Sequence, residues 1–186
     1  MRIPVKTLVG IAFVALACNA LAQEYPKLKP GHWELAIKTS RAQNAPPQKS
    51  TMCIDDALQR EMMSMGSGMS REMCTKNEFK RDGARYVGNA ECKIGESKIV
   101  SRSVMTLTGD TGYHTEINAT YEPAFMGMKD SQTVLDGEYT GPCPAGMAAG
   151  DFVGPNGQKF NIRNVANAKG AATPPAQPAP RPKAPQ

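Results

Sequence analysis

Methionine is the residue type whose number and spacing in this sequence point most directly to chemistry. Six methionines fall within 22 residues and two more form a later pair: Met52, Met62, Met63, Met65, Met69, Met73, Met126 and Met128. Thioether sulfur is a soft ligand that suits Cu(I). The spacings Met63-x-Met65 and Met126-x-Met128 are short enough for two sulfurs to reach one ion. One hypothesis is therefore a copper-binding segment over residues 62–73.

The same methionines also fit a purely structural role. Leu58, Met62 and Met65 stand at i, i+4 and i+7, the spacing of one apolar face of a helix, and methionine fills irregular cores readily. In this interpretation Met62 and Met65 are core residues, and the other methionines of the segment lie in a surface loop. The sequence leaves both interpretations open, and we assign no metal ligand and no cofactor from it.

The histidines and the paired aspartates give weaker signals for catalysis. His32 and His114 each fall on the polar side of a predicted strand, with no partner at a recognisable spacing for acid–base or metal chemistry. Asp55 and Asp56 precede the helical pattern, where an aspartate caps the first turn. We therefore predict that the protein is not an enzyme and assign no catalytic residues.

Cysteine usage indicates a disulfide framework. Cys18 lies in the N-terminal apolar stretch, which leaves Cys53, Cys74, Cys92 and Cys143 in the rest of the chain. An even number of cysteines in an exported chain predicts two structural disulfides, and four cysteines allow three pairings. We favour Cys53–Cys74, which brackets one short insert, and Cys92–Cys143, which ties a central strand to the end of the domain.

Export is predicted from residues 1–22. Two basic residues precede an apolar run over residues 7–16, and Ala20-Leu21-Ala22 is the small-x-small pattern cut by signal peptidase. The run is shorter than the roughly 20 residues of a permanent transmembrane helix. We therefore expect a mature chain that starts at Gln23, has no transmembrane segment after cleavage, and works in the periplasm.

A membrane-anchored form is the alternative for this segment. Ala15-Leu16-Ala17-Cys18 is similar to the motif at which bacterial lipoproteins are lipidated on cysteine. In that case Cys18 would become the first residue and carry the anchor.

The rest of the chain predicts one domain and a tail. Residues 167–186 are rich in proline and alanine, a composition typical of disordered segments, so the domain spans residues 23–166. The predicted mature chain keeps 20 basic and 17 acidic residues, a net charge of +3. The basic residues are scattered and not interleaved with aromatics, which argues against nucleic-acid binding. The expected partner is an unknown envelope protein or a small molecule.

Period-two patterns predict a mainly β fold. Residues 113–121 alternate apolar and polar positions, which indicates an antiparallel sheet with one solvated face, and Asp82-Gly83 is a strong hairpin signal. The predicted strands cover residues 31–38, 49–54, 77–81, 84–92, 98–108, 112–122, 131–139 and, marginally, 158–165. We expect an antiparallel curved sheet or partial barrel of six to eight strands. One short helix, which stops at Gly66-Ser67-Gly68, is inserted between Cys53 and Cys74.

Three short motifs occur in the sequence: Gly31-x-Trp33-Glu34, the order of Cys53, Cys74 and Cys92, and Tyr139-Thr140-Gly141-Pro142-Cys143. Together they resemble the DUF3617 family of bacterial exported proteins of unassigned function. The resemblance covers roughly residues 27–146 and implies an exported domain with no known catalytic residues.

The function that we expect is that of a non-enzymatic periplasmic module, which binds a partner or a small ligand on the concave face of its sheet. Trp33 would either line such a site or, as is more usual for a lone tryptophan on an alternating strand, belong to the core. The alternative is a periplasmic copper-binding protein that uses the methionines of residues 62–73.

Overall fold

The computed structural model describes residues 25–42 and 44–167. The predicted signal peptide, Cys18 and most of the predicted tail lie outside the described residues. The elements, in chain order, are β1 (Gly31–Thr39), a 3-10 helix (Ser40–Ala42), β2 (Gln48–Ile54), α1 (Asp56–Met73), β3 (Cys74–Asp82), β4 (Arg85–Ile94), β5 (Ser97–Thr108), β6 (Gly112–Phe125), β7 (Met128–Gly141), β8 (Asp151–Val153), β9 (Lys159–Asn161) and α2 (Ile162–Asn167). No helix in these two ranges is long and apolar enough to cross a membrane.

The strands form one open antiparallel sheet in the order β3-β4-β5-β6-β7-β1-β2-β8-β9. The mainly β prediction is confirmed, and the sheet has nine strands, one more than the upper limit of our prediction. The additional strand is β8, whose three residues are too few to give a sequence signal. The marginal strand predicted over residues 158–165 is only partly correct, because β9 ends at Asn161 and α2 follows directly.

The helix α1 is longer than its apolar pattern predicted. It passes through Gly66 and Gly68, where we expected it to stop, and ends at Met73. The topology explains the length, because α1 leads the chain from β2 to β3, which are six positions apart in the sheet. Six strand spacings amount to about 29 Å, and 18 helical residues span about 27 Å. A helix that ended before Gly66 would span only about 15 Å and leave about half of this distance uncovered.

The start of α1 is as predicted. The Asp55 carboxylate accepts a hydrogen bond of 2.6 Å from the Leu58 backbone N–H, so that Asp55 is the N-cap. The segment before β1 is fastened to the same helix by a reciprocal pair of bonds. The Leu28 N–H donates to the Gln59 side-chain oxygen at 2.9 Å, and the Gln59 amide donates to the Leu28 carbonyl at 3.0 Å.

The core lies where β1, β2 and the first turn of α1 meet. Trp33, at 1% exposure, packs with Leu35, Ile54 and Leu58, and its indole N–H donates to the Lys29 carbonyl at 2.9 Å. The interpretation of Trp33 as a core residue is confirmed. Its motif begins with a glycine for a steric reason. A Cβ on Gly31, whose φ is +143°, would collide with the Gly141 carbonyl and the Tyr139 ring.

The two disulfides join Cys53 to Cys143 and Cys74 to Cys92. All four predicted cysteines are used, but the pairing that we favoured is wrong. The helix α1 holds Cys53 and Cys74 at its two ends, about 27 Å apart, whereas a disulfide needs Cα atoms within about 7 Å. Cys74 instead faces Cys92 across the β3–β4 hairpin.

The short strands β8 and β9 are held by one buried carboxylate. The Asp151 side chain accepts hydrogen bonds from the Ala148 N–H at 2.8 Å and the Asn161 amide at 2.9 Å, and forms an ion pair with the Lys159 ammonium at 2.8 Å. The bond to Lys159, supported by the other two, lowers the pKa of Asp151 to about 2. This cluster fixes the end of the sheet that carries β9.

Candidate functional site

A row of four polar residues crosses the solvated face of the sheet. The backbone register places Arg102 of β5 opposite Asn89 of β4 on one side and opposite Asn118 of β6 on the other, and Asn118 lies opposite Gln132 of β7. Directly opposed residues of an antiparallel pair project from the same face with Cβ atoms about 5 Å apart. We call Asn89, Arg102, Asn118 and Gln132 the polar row.

The polar row lines a hollow in the solvated face with a volume of about 600 Å³. Within residues 25–42 and 44–167, none of its four side chains is hydrogen-bonded or ion-paired to another residue. The second cation that lines the hollow, Lys76, is different, because its ammonium lies 3.8 Å from the Glu78 carboxylate. Arg102 thus offers a guanidinium to a ligand without first breaking an ion pair.

One carboxylate at the rim of the hollow is already ion-paired. The Glu91 carboxylate lies 3.0 Å from the Lys98 ammonium, and this bond holds the pKa of Glu91 below its usual value. The Glu91 carboxylate is therefore ion-paired, whereas Arg102 of the polar row has no such partner among the described residues.

His114 lies further along the same face, between two carboxylates. Its Nδ1 is 2.6 Å from Asp136 of β7 and its Nε2 is 3.4 Å from Glu116 of β6. These hydrogen bonds, with Asp136 the stronger, raise the pKa of His114 above its ordinary value. We predicted no partner for this residue. Glu116 stands two residues away on the same strand, which is a usable signal, but Asp136 is brought in only by the pairing of β6 with β7.

His32 contacts a hydroxyl group and no carboxylate among the described residues. Its Nδ1 lies 2.6 Å from Thr140 Oγ1, and that hydroxyl donates to the His32 carbonyl at 3.2 Å. When the hydroxyl proton points to the carbonyl, the ring nitrogen must be the donor to the hydroxyl oxygen. In this arrangement the imidazole does not act as a base towards Thr140.

The methionines of α1 form an exposed surface and not a core. Four of them share the helix face of Leu58 at successive intervals of three and four residues: Met62, Met65, Met69 and Met73. We call these four the thioether stripe. Leu58 is buried, but the four methionines are 38%, 42%, 51% and 38% exposed. Our interpretation of Met62 and Met65 as core residues is therefore wrong, since only the first turn of the helix reaches the core cluster.

Three other methionines of the predicted copper sites, Met63, Met126 and Met128, lie outside the thioether stripe. Met63 points from a different side of α1 and is half-buried. Met126, at 72% exposure, and Met128 flank the tight β6–β7 turn. Among the described residues no group of three or more histidine, cysteine, aspartate or glutamate side chains is arranged to hold a metal ion.

Sequence reasoning found only part of the polar row. The alternation of β6 placed Asn118 on the solvated face, and the burial pattern of that strand confirms it. The alignment of Arg102 with three amides depends on the register of four strands, which no local pattern determines.

Comparison with known proteins gives one match. The sequence profile of a family described as a protein of unknown function (DUF3617) matches residues 28–143. Searches of curated proteins and of solved structures found no match. The matched region runs from the segment before β1 to the residues after β7, and contains Trp33 and all four disulfide cysteines. It covers more than half of the sequence, as the resemblance of the three motifs implied. The chain belongs to the DUF3617 family.

Proposed function

We propose that this protein is a non-enzymatic binding module of the periplasm, and that it takes a small polar ligand with a carboxylate group into the hollow at the polar row. The observation that carries the proposal is the polar row itself. It places one arginine and three amides side by side in a hollow of about 600 Å³, without partners among the described residues.

The chemistry of the polar row favours such a ligand. A guanidinium presents a planar fork of donors that matches a carboxylate bidentately. The amides of Asn89, Asn118 and Gln132 both donate and accept hydrogen bonds, which suits hydroxyl groups next to the carboxylate. The volume lies within the usual range of small-molecule sites, roughly 300–1,000 Å³.

The surroundings of the histidines support a role without catalysis. His114 is held between two carboxylates, and the described residues place no hydroxyl or thiol nucleophile in hydrogen-bond contact with it. His32 lies next to the Thr140 hydroxyl, and that hydroxyl donates its proton to the His32 carbonyl rather than to a base. A general base must be able to accept the proton of the group that it activates.

The disulfides support an exported location. Disulfides persist in oxidising compartments such as the bacterial periplasm. One bridge of this domain ties β2 to the segment after β7, and the other lies within the β3–β4 hairpin. Release after Ala22 gives a free periplasmic protein, and lipidation of Cys18 is the alternative that anchors the same domain.

The ligand class is tested with two sugars that differ only in one group. Glucuronate and glucose are titrated separately into ¹⁵N-labelled mature protein, and the side-chain signals of the polar row are followed by NMR. Glucuronate should shift these signals saturably, whereas glucose should leave them almost unchanged, because only glucuronate supplies a partner for Arg102.

A pair of variants makes the test specific. The substitution Arg102→Gln removes one charge-assisted bond, a loss of about 1.5–3 kcal/mol, and should weaken glucuronate binding roughly tenfold or more. The matched control is Arg60→Gln, which removes an exposed arginine of α1 and should have no effect. Equal responses to both sugars, or equal binding by both variants, would exclude the proposal.

Copper binding is the second candidate function, and the exposure of the thioether stripe favours it. Four thioethers that face solvent on one helix face are available to a soft metal ion. A buried methionine core would have removed this candidate.

A further inference from the structure

We infer that Met62, Met65 and Met69 together form one Cu(I) site on the exposed face of α1. The inference names the ligands for the second candidate function and rests on it. It is independent of the ligand proposed for the polar row.

The helix geometry selects these three residues. Met65 lies three residues after Met62 and four before Met69, and residues at these intervals are neighbours on a helix surface with Cβ atoms about 5–6 Å apart. The outer two are separated by about 10.5 Å along the axis, so their flexible side chains can reach towards the sulfur of Met65 from both ends. Met73 lies one further turn away and would require a longer span.

Met62, Met65 and Met69 are more exposed to solvent than the neighbouring Met63. Met62, Met65 and Met69 are 38%, 42% and 51% exposed, so their sulfurs are free to reorient around an ion. Met63 is half-buried on another side of the helix. The Met63-x-Met65 pair, which the sequence suggested, therefore does not present two sulfurs on one face.

The identity of the ion follows from the soft ligands that remain available. All four cysteines of the described residues are in disulfides, so no thiolate competes in this part of the chain. Thioethers are neutral, soft donors, which suit Cu(I) better than the harder divalent cations magnesium, calcium and manganese. The Glu72 carboxylate, three residues after Met69 on the same side of the helix, adds negative charge beside the site.

The proposal is tested by an anaerobic Cu(I) titration of the mature protein against a chromogenic chelator. Ascorbate serves as the reductant because a thiol would open the disulfides. Two triple variants remove equal numbers of thioethers. One is Met62→Leu/Met65→Leu/Met69→Leu, and the matched control is Met63→Leu/Met126→Leu/Met128→Leu. Leucine keeps the size and helix propensity of methionine, and far-UV circular dichroism checks the fold of both.

The wild-type protein and the control should bind one equivalent of Cu(I). Changes in the outer shell of a metal site alone cost 10–100-fold in affinity, so the stripe variant, which loses three direct ligands, should bind at least about 100-fold more weakly. Unchanged affinity of the stripe variant would overturn the inference. Loss of binding in the control variant instead would overturn the assignment of these three ligands but leave copper binding as a function of the protein. A wild-type protein that bound no Cu(I) would exclude both the assigned ligands and the copper-binding function.

A second measurement does not depend on the folding of variants. Wild-type protein labelled with ¹³C in its methionine methyl groups is titrated with Ag(I), a redox-stable substitute for Cu(I), in chloride-free buffer. The methyl signals of Met62, Met65 and Met69 should shift together and stop at one equivalent. Shifts confined to Met63, Met126 or Met128 would contradict the assignment.

Discussion

At the scale of single residues, the Asp136 carboxylate acts on two titratable neighbours, one on each face of the sheet. On the solvated face it is the main cause of the raised pKa of His114. On the apolar face, burial raises the pKa of Tyr113 to about 12, and the charge of Asp136 adds to this effect. The Asp136 carboxylate of β7 thus raises the pKa of two side chains of β6, although 22 positions separate Asp136 from His114 in the chain.

Replacement of Asp136 by asparagine should lower the pKa of His114 towards its ordinary value of about 6.5. The folded-state pKa is raised, so the contribution of the protonated ring to stability is complete below about pH 6.5 and disappears as the pH rises through the folded-state pKa. Because the ring is half exposed, solvent screening keeps this contribution small. The measurement is an NMR titration of the His114 ring signals.

The control for this titration is Glu116→Gln. Its bond to His114 is the weaker of the two at 3.4 Å, so the pKa should fall less than in the Asp136→Asn variant. A midpoint that does not move in the Asp136 variant would show that the carboxylate does not bond to the ring in solution.

At the scale of elements, α1 continues through two glycines because its length is set by the sheet that it crosses. Glycine lowers helix stability by about 1 kcal/mol relative to alanine in a helix interior. Burial of apolar side chains does not offset this loss here, because the thioether stripe is exposed. The two ends do hold the helix. Asp55 caps the first turn and Leu58 is buried, while at the other end Cys74 donates its N–H to the Ser70 carbonyl and is in a disulfide.

Alanine at Gly66 or Gly68 should therefore stabilise the protein by about 0.5–1 kcal/mol each. Both glycines have open space where a Cβ would be placed and lie within the helix. The measurement is the free energy of unfolding from urea denaturation of each variant.

The matched control is Gly83→Ala in the β3–β4 turn. It also has open space, but its φ is +62°, where a side chain costs roughly 1–2 kcal/mol, so this variant should lose stability. A loss of stability in the Gly66 and Gly68 variants as well would mean that the helix ends before them.

At the scale of the whole molecule, the disulfides compensate for a small core. The buried hydrophobic residues of the described chain are Trp33, Leu35, Cys53, Ile54, Leu58 and Tyr86. The Cys53–Cys143 bridge spans 90 positions and ties β2 to the segment after β7, whereas Cys74–Cys92 spans 18 and closes one hairpin. The long bridge therefore constrains the unfolded chain more.

Removal of the long bridge by Cys53→Ala/Cys143→Ala should cost about 4.5 kcal/mol, and removal of the short bridge by Cys74→Ala/Cys92→Ala about 3 kcal/mol, by the loop-closure entropy of each. Urea denaturation of the two double variants gives the comparison. Non-reducing peptide mapping of the wild-type protein should recover Cys53 linked to Cys143. A larger loss for the hairpin bridge, or a Cys53–Cys74 peptide, would contradict the assigned framework.

The sequence by itself determined the features that depend on neighbours in the chain. Alternation set which side chains of β6 face solvent, Asp55 marked the start of α1, and Asp82-Gly83 marked the β3–β4 hairpin. Counting back from that turn also brings Cys74 nearly opposite Cys92, so that this disulfide could have been found; a bulge between Cys74 and Lys76 shifts the count by one.

The tertiary structure alone decided what depends on strand order and register. The insertion of β1 between β7 and β2 set the length of α1, the long disulfide and the exposure of the thioether stripe. The pairing of β4 to β7 aligned Arg102 with three amides and brought Asp136 to His114. The physical reason is that these contacts join residues far apart in the chain, whereas patterns of hydrophobicity and capping report only on interactions within one element.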